Sequence, residues 1–438
     1  MHQLCAELCI FANSFNENVS SMKRYFAILF FVFCLTVIPV FSQVQLSDSA
    51  KISLMTTSPW DGAVYAVYGH TAMWVKDDST GIDAVFNYGY FDQSRPNFLY
   101  HFVRGETDYI LGVVPIDHFL QEYREKGVEV IEQELNLTQK EKQNLWEALY
   151  INALPENREY RYNFLFDNCV TRPRDLTEKY VEGLIKYPDD TKVQTFRDLI
   201  HECVNAFPWM KFGIDLVIGS DADKPITLRE KMFLPVYLQD ALEESTIVKS
   251  DTLAYPAVKS THIVLPLVNE TNNKNEWGLF SPTIIAFAVL LLTLFVSIKQ
   301  IITLNHTNLP KIYDTVLFGI IGIGGLIIFF LMFFSEHPVT NPNWNFVWMN
   351  IFALIAAALF WVKSARNIVY IYHFINFAVL IVFLLSWWFI PQKMPVASIV
   401  FSLSLLLRSG TNLVMMRRTR LKRKKFTSSS YMKAGWGN

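Results

Sequence analysis

The sequence predicts a two-part protein: an exported α+β domain followed by an all-α bundle of five membrane-spanning helices. Three observations lead there. Of the 438 residues, 51% are hydrophobic and only 18% charged, which is more apolar and less charged than one soluble domain carries. Five apolar segments fill the carboxy-terminal third: 282–298, 312–334, 346–362, 368–390 and 396–416. Each is close to the ~20 residues that cross a bilayer. Between Phe280 and Met416 the only acidic residues are Asp314 and Glu336, whereas the tail from Arg417 to Lys425 is almost wholly basic. A basic run in a soluble protein would point to nucleic acid. Directly after an apolar segment it reads as a topology anchor, so the expected partner is a lipid bilayer and not nucleic acid.

At the amino terminus, an apolar stretch from Tyr25 to Phe41 follows Lys23 and Arg24 and ends at the small-residue exit around Ser42. This is a secretory signal over 22–42, with Met22 as its start and 1–21 as an upstream extension; a retained signal anchor is the other reading. The exported domain then occupies 43–278, the membrane domain 279–416 and a basic cytoplasmic tail 417–438.

Within the exported domain, strands are expected over 51–56, 65–76, 83–90 and 109–114, with a turn at 77–81. Thr138 and Glu141 form a capping box that opens a helix carrying Leu145, Leu149 and Ala153 on one face. A strand-like stretch over 160–166 leads into Asp167, Asn168 and Cys169. Helical patterns cover 176–184 and 196–218, and the Asn-rich stretch 268–276 reads as a linker. Strands followed by helices make the domain α+β.

Loop charges orient the bundle. With the soluble domain outside, the inner loops hold Lys299, Lys311, Lys363 and Arg366, and the outer loops only Lys393. Arg408 falls in the inner half of the fifth segment, where it either snorkels or contacts a headgroup or partner. The outer loop 335–345 is more polar than a connector requires. His337, Asn343 and Asn345 are therefore candidate substrate contacts at the outer membrane surface, while Trp344 and Trp348 also fit an interfacial aromatic belt.

Cys5, Cys9 and Cys34 lie in or before the signal, leaving Cys169 and Cys203 in the exported domain. Two cysteines in an oxidising compartment fit a disulfide. Cys169, however, lies at a strand-to-helix junction beside Arg172 and Arg174, where free N–H groups and positive charge stabilise a thiolate. Both readings stay open. A nucleophilic thiol needs a base and a group to orient it. His70, in Tyr68-Gly69-His70-Thr71-Ala72, can serve as the base, and Asn87 on the next strand can orient it. Asn168 or Tyr68 can supply an oxyanion donor. No Cys-x-x-Cys, His-Glu-x-x-His or Gly-rich phosphate loop occurs, and Asp221 and Asp223 lack the spacing of a calcium loop. No metal or cofactor is expected.

Several motifs come in series: Ser58-Pro59, the Gly69-His70-Thr71-Ala72 run, Asn87-Tyr88-Gly89-x-Phe91-Asp92, Pro96-Asn97-Phe98, Glu132-Gln133-x-Leu135-Asn136, Tyr160-Arg161-Tyr162-Asn163-Phe164 and Asp167-Asn168-Cys169-x-Thr171-Arg172. Together they resemble the Lnb amino-terminal periplasmic domain family. The carboxy-terminal part, including His337-Pro338 and Asn343-Trp344-Asn345, resembles the five-helix membrane domain that follows it. The order Gly-His on a strand, then Asn-Cys opening a helix, is also similar to circularly permuted papain-like enzymes such as NlpC-type peptidases. That similarity implies a permuted papain-like domain at the bacterial inner membrane, with Cys169 as nucleophile and His70 as base. Where relatives are expected to carry Arg after the Gly-His-Thr-Ala run, this chain has Trp74 after Met73, a departure from the family pattern that removes a pocket salt bridge. Trp74 and Arg172 are candidate substrate contacts. The implied function is a thiol hydrolase or acyltransferase acting on lipid, lipoprotein or cell-envelope glycopeptide. The alternative is a non-catalytic envelope-binding or lipid-handling membrane protein.

Overall fold

The computed structural model describes residues 44–250, 252–268, 280–303 and 308–434, with side chains to Leu421. The expected signal at 22–42, the upstream extension 1–21 and the linker beyond Val268 lie outside the described residues.

The first half of the domain forms β1 (Lys51–Thr57), β2 (His70–Asp77), β3 (Ile82–Tyr90), α1 (Phe98–Arg104), β4 (Asp108–Val114), α2 (Ile116–Lys126), β5 (Val130–Leu135) and α3 (Gln139–Ala153). The second half adds β6 (Glu159–Arg161), α4 (Thr171–Tyr180), β7 (Leu184–Lys186), β8 (Gln194–Thr195), α5 (Phe196–Val204), α6 (Pro208–Val217), β9 (Pro225–Ile226), α7 (Leu228–Lys231), α8 (Pro235–Glu243), β10 (Thr246–Ser250), β11 (Leu253–Pro256) and β12 (Val258–Leu265). Seven strands make one antiparallel sheet in the order β12-β5-β1-β2-β3-β4-β6.

Strand alternation sends side chains to both faces, and both are covered. Ile52, Leu54, Met73, Val75 and Phe86 pack with Leu145 and Leu149 of α3 and Leu238 and Leu242 of α8. Met55, Ala72 and Val85 pack with Ile116, Phe119 and Tyr123 of α2. The α3 capping box forms as expected: the Thr138 hydroxyl accepts from the Glu141 N–H, and the Glu141 carboxylate accepts from the Thr138 N–H at 2.7 Å. Such a cap stabilises a helix by about 1 kcal/mol.

Three expected elements come out shorter or broken. The strand expected over 65–76 begins only at His70, because Ala66–Tyr68 turn as a single 3₁₀ turn and Gly69 takes a positive φ of 77°. The strand expected over 160–166 stops at Arg161, and a tight turn closed by the Asn163–Asp167 bridge follows. The helix expected over 196–218 splits into α5 and α6 at Pro208, which has no N–H to donate and disfavours helical geometry at Phe207.

The membrane domain contains α9 (Pro282–Thr303), α10 (Leu309–Phe333), α11 (Asn345–Trp348), α12 (Ile351–Leu359), α13 (Arg366–Leu385) and α14 (Val396–Ala434). Among the described residues, four helices are long and apolar enough to cross a membrane. The third expected span, 346–362, is met by a shorter apolar stretch, Asn345–Leu359, broken between α11 and α12. The loop before it folds back against the end of α10, with Thr340 Oγ1 donating to Leu331 O at 2.9 Å, and Asn345 at the start of the stretch is fully buried. At the other end Trp361 Nε1 donates to Thr315 Oγ1, near the start of α10, at 2.8 Å. Gly322 and Gly325 of α10 let the stretch in: a Cβ at either would lie 2.2–2.4 Å from backbone atoms of Leu354 or Asn350.

Arg408 neither snorkels nor meets a headgroup. It is fully buried and makes a two-pronged pair with Asp314, at 2.5 and 2.8 Å. Ser297 and Gln300 accept two more of its donors at 2.9 and 3.0 Å, and Asn412 donates to Asp314 at 2.8 Å. Helices α9, α10 and α14 are tied together by this one network.

Candidate functional site

Cys169, His70 and Asn87 meet where β2 begins, β3 ends and α4 starts. The β2–β3 register pairs Met73 with Phe86. Continued by three residues it puts Gly89 opposite His70 and Asn87 on the diagonal. Asn87 Oδ1 lies 2.5 Å from His70 Nε2, which leaves Nδ1 for the sulfur. Gly89 supplies the space: at φ 112°, a Cβ there would touch both Cys169 Cβ and His70 Cε1 at 3.7 Å. The His70 ring also stacks on Tyr123 of α2, with centroids 6.5 Å apart.

The electrostatics of this pair favour charge separation. Burial raises the Cys169 thiol, but the charge and hydrogen bond of His70, with the N–H groups of Thr71 and Cys169, outweigh it and hold the thiol below its ordinary value. Burial likewise lowers His70, yet the charge of Cys169 and the bonds to Cys169 and Asn87 outweigh it and raise the imidazole. Cys203 behaves oppositely, pushed up to about 12 by burial and then by Glu202. Both cysteines are free thiols, and they pack against different core clusters. The disulfide reading is thereby excluded. Cys169 itself stays partly accessible.

Two cavities share the His70–Gly89 wall. One of about 90 Å³ contains Cys169 and is lined by Tyr65, Tyr68, Phe91, Tyr109 and Phe164 among others. The other, about 350 Å³, is lined by Trp60, Asn87, Tyr90, Glu122, Tyr123 and Lys126 among others. Glu122 and Lys126 pair at 2.5 Å, one turn apart on α2.

The remaining expected site residues divide. Tyr68 lines the Cys169 cavity, and burial raises its hydroxyl above the ordinary phenol range, so it keeps its proton. Asn168 does not serve as an oxyanion donor. Its amide N–H groups donate to Phe164 O and Phe233 O at 2.8 and 2.9 Å, and its Oδ1 caps α4 by accepting from Val170 and Thr171. Trp74 lies four residues along β2 from His70, about 13 Å away at strand spacing, and donates to Asp83 at 2.7 Å. It lines neither cavity. Arg172 supports the site from behind, held by Asp167 at 2.6 and 2.9 Å and lying 3.7 Å over the Tyr160 ring.

His337, Asn343 and Asn345 form a joint with the soluble domain and not a substrate surface. Asn343 donates to Leu216 O at 2.8 Å and Asn345 to Asp215 O at 2.9 Å, both carbonyls in the last turn of α6. Gln392 donates to Ile218 O at 3.1 Å. A helix end leaves such carbonyls without partners, and the membrane domain supplies them. On the other side of the joint, the fully buried Arg197 pairs with Asp215 and Asp223 at 2.7 and 2.9 Å. His337 is bound to Phe102 O of α1 at 2.8 Å.

Tyr90 is the residue that reading the sequence missed. Its hydroxyl accepts from Asn87 Nδ2 at 3.1 Å, fixing the amide that orients His70. Strict alternation places Tyr90 on the opposite face from Asn87. The register shift between Tyr88 and Tyr90 brings it round, and Gly112 leaves room for its ring. A glycine inside the strand was the one signal. Among the described residues, no three His, Cys, Asp or Glu side chains converge as a metal-ligand set.

Residues 42–202 match the family model of the Lnb N-terminal periplasmic domain, and residues 273–420 match that of the Lnb transmembrane domain. No curated protein and no solved structure matches the chain. Two matches in this order, over the sheet domain that carries the thiol and over the helical domain on which it rests, make the chain a member of the Lnb family of membrane proteins, with a periplasmic domain followed by a transmembrane domain.

Proposed function

We propose that this protein is a papain-like thiol acyltransferase or hydrolase working at the outer face of the inner membrane, with its basic tail in the cytoplasm. The observation that carries the reading is the Cys169–His70–Asn87 chain, in which a thiol lining a cavity is held below its ordinary value. The Cys169 thiolate attacks an acyl carbonyl carbon, forming a C–S bond. His70 gives its proton to the departing oxygen or nitrogen as that bond breaks, leaving a thioester on Cys169. Water or a second nucleophile then gives a proton to His70 and displaces the thiolate. Tyr68, which keeps its proton, is the side-chain candidate for the oxyanion donor.

The cleft's surroundings support one substrate class. α1 rests on the outer end of α10, where the Glu336 N–H donates to Arg104 O at 2.7 Å. It exposes Leu99, Tyr100 and Phe102, with Leu99 72% exposed. Phe98 of the same helix stacks on Phe91 at 5.9 Å, and Phe91 meets Tyr65 at 5.8 Å. Phe91 and Tyr65 both line the Cys169 cavity. An apolar path thus leads from the membrane surface to the thiol, which fits a lipid-borne acyl group, on a phospholipid or a lipoprotein, better than a glycopeptide.

The test is acyl capture. Incubated with vesicles of acyl-labelled phospholipid, the purified protein should gain one acyl mass on Cys169, released by neutral hydroxylamine. His70→Ala should abolish the gain and Cys203→Ser should leave it. A label distributed equally over both cysteines, or no thioester in the presence of bound lipid, would overturn the proposal.

A further inference from the structure

A third cavity lies far from the thiol, at the end of the bundle away from the soluble domain. It measures about 640 Å³ and is open to the surface between the starts of α10 and α13, the end of α12 and the middle of α14. Lys311, Lys363 and Arg366 stand on its wall, and the last two are exposed. Asp314, the acidic residue at its floor, is committed to Arg408 and Asn412. From Phe280 to the carboxy terminus the sequence contains only one other acid, Glu336, which sits at the opposite end beside Arg161. Three cations therefore face one cavity with no carboxylate free to neutralise them.

Charges placed only to set topology need no cavity and no fixed geometry. Here Lys311 is held 4.1 Å over the Trp361 ring, and Trp361 is fixed in turn by Thr315 at 2.8 Å. Gln300, Asn308 and Asn412 add hydrogen-bonding groups, while Leu359, Val369 and Met415 make the wall apolar. Cations, amides and an apolar wall together suit a phosphate ester that carries hydrocarbon.

We propose that this cavity binds a phosphate-bearing anion, either the headgroup of an anionic lipid in the adjoining leaflet or a free phosphate. Lys311, Lys363 and Arg366 neutralise the anion, and the Asp314–Arg408 pair holds the floor rigid. The site is separate from the thiol chemistry and does not depend on it.

Native mass spectrometry of the full-length protein tests this, with phosphatidylglycerol, phosphatidylcholine and inorganic phosphate as probes. Phosphatidylglycerol should be retained at least about tenfold more tightly than phosphatidylcholine. The double variant Lys363→Gln/Arg366→Gln should weaken it about 30-fold, at about 1 kcal/mol for each cation. Displacement by millimolar inorganic phosphate assigns recognition to the phosphate alone, and resistance to it assigns the lipid headgroup. Melting of the variant in phosphatidylcholine and alkylation of its Cys169 should match wild type. If that variant does not fold, salt titration of the wild type replaces it, and retention should fall as ionic strength rises. Equal retention of the two lipids with no response to phosphate would overturn the proposal. So would a folded variant that holds phosphatidylglycerol like wild type, or retention indifferent to salt.

Discussion

Two buried polar constellations, one in the sheet domain and one in the bundle, use the same kinds of interaction to opposite ends. Around Arg408 the charges close on themselves: the guanidinium meets Asp314, Ser297 and Gln300, and Asn412 completes the carboxylate. Around Cys169 the chain of contacts runs one way, from Tyr90 through Asn87 and His70 to the thiol of a half-buried cysteine that lines a cavity. A closed network fixes helices. An open chain ending at a polarised thiol holds reactivity for something not yet bound. The joint residues Asn343 and Asn345 belong with the first kind, since their amide donors are directed at carbonyls of α6.

The contrast is sharpest at its extremes. Cys169→Ala should lower turnover at least about a thousand-fold while leaving the melting temperature near wild type, as read by single-turnover acyl transfer and a thermal scan. Asp314→Ala should do the reverse. It leaves Arg408 buried without its counter-charge, which costs about 3–5 kcal/mol, whereas alkylation of Cys169 in the surviving folded protein should be unchanged. A catalytic loss in Asp314→Ala that is not explained by its folded fraction would break the comparison.

Asn345→Ala tests the joint. It leaves Asp215 O and the Trp348 Nε1–H unpartnered, for about 1–3 kcal/mol of stability. KM for a lipid substrate should stay constant, and a raised KM with unchanged melting would return Asn345 to the site. Tyr90→Phe should be milder. Removing one hydrogen bond to Asn87 should cut kcat by up to about tenfold, with KM unchanged.

The pH profile sharpens the open end. Cys169 is held below the ordinary thiol range and His70 above the ordinary imidazole range, and both shifts favour the thiolate–imidazolium pair over the neutral one. Activity should rise as pH climbs through the lowered thiol value and fall as it passes the raised imidazole value. In His70→Ala, burial of Cys169 goes unopposed by imidazolium charge, so the midpoint for iodoacetamide alkylation should move to higher pH. An unmoved midpoint would show that the helix start and backbone N–H groups stabilise the thiolate without His70.

The sequence by itself determined what depends on local pattern and on bulk composition. Apolar length and the scarcity of acids set out a membrane domain, strand-like composition between turn residues located β1 and β3, and the Thr138–Glu141 box began α3 on the right residue, because each is decided within a few residues or by partition between water and lipid. Cys169, His70 and Asn87 were legible for a related reason: the thiol chemistry requires those residue types, and an antiparallel pair of strands brings a histidine and an asparagine together. Only the tertiary structure decided what each polar side chain is spent on. Asn168 and Asn345 look alike in sequence to any asparagine that binds substrate, and only their neighbours show that their donors are used up. Arg408 and Asp314 lie 94 residues apart, and no local pattern tells a snorkelling arginine from a paired one. Tyr90 reached Asn87 through a one-residue bulge that alternation does not encode. Hydrogen-bond satisfaction is a property of the packed neighbourhood, because burial makes every unpaired donor costly and the partner that relieves it can come from anywhere in the chain.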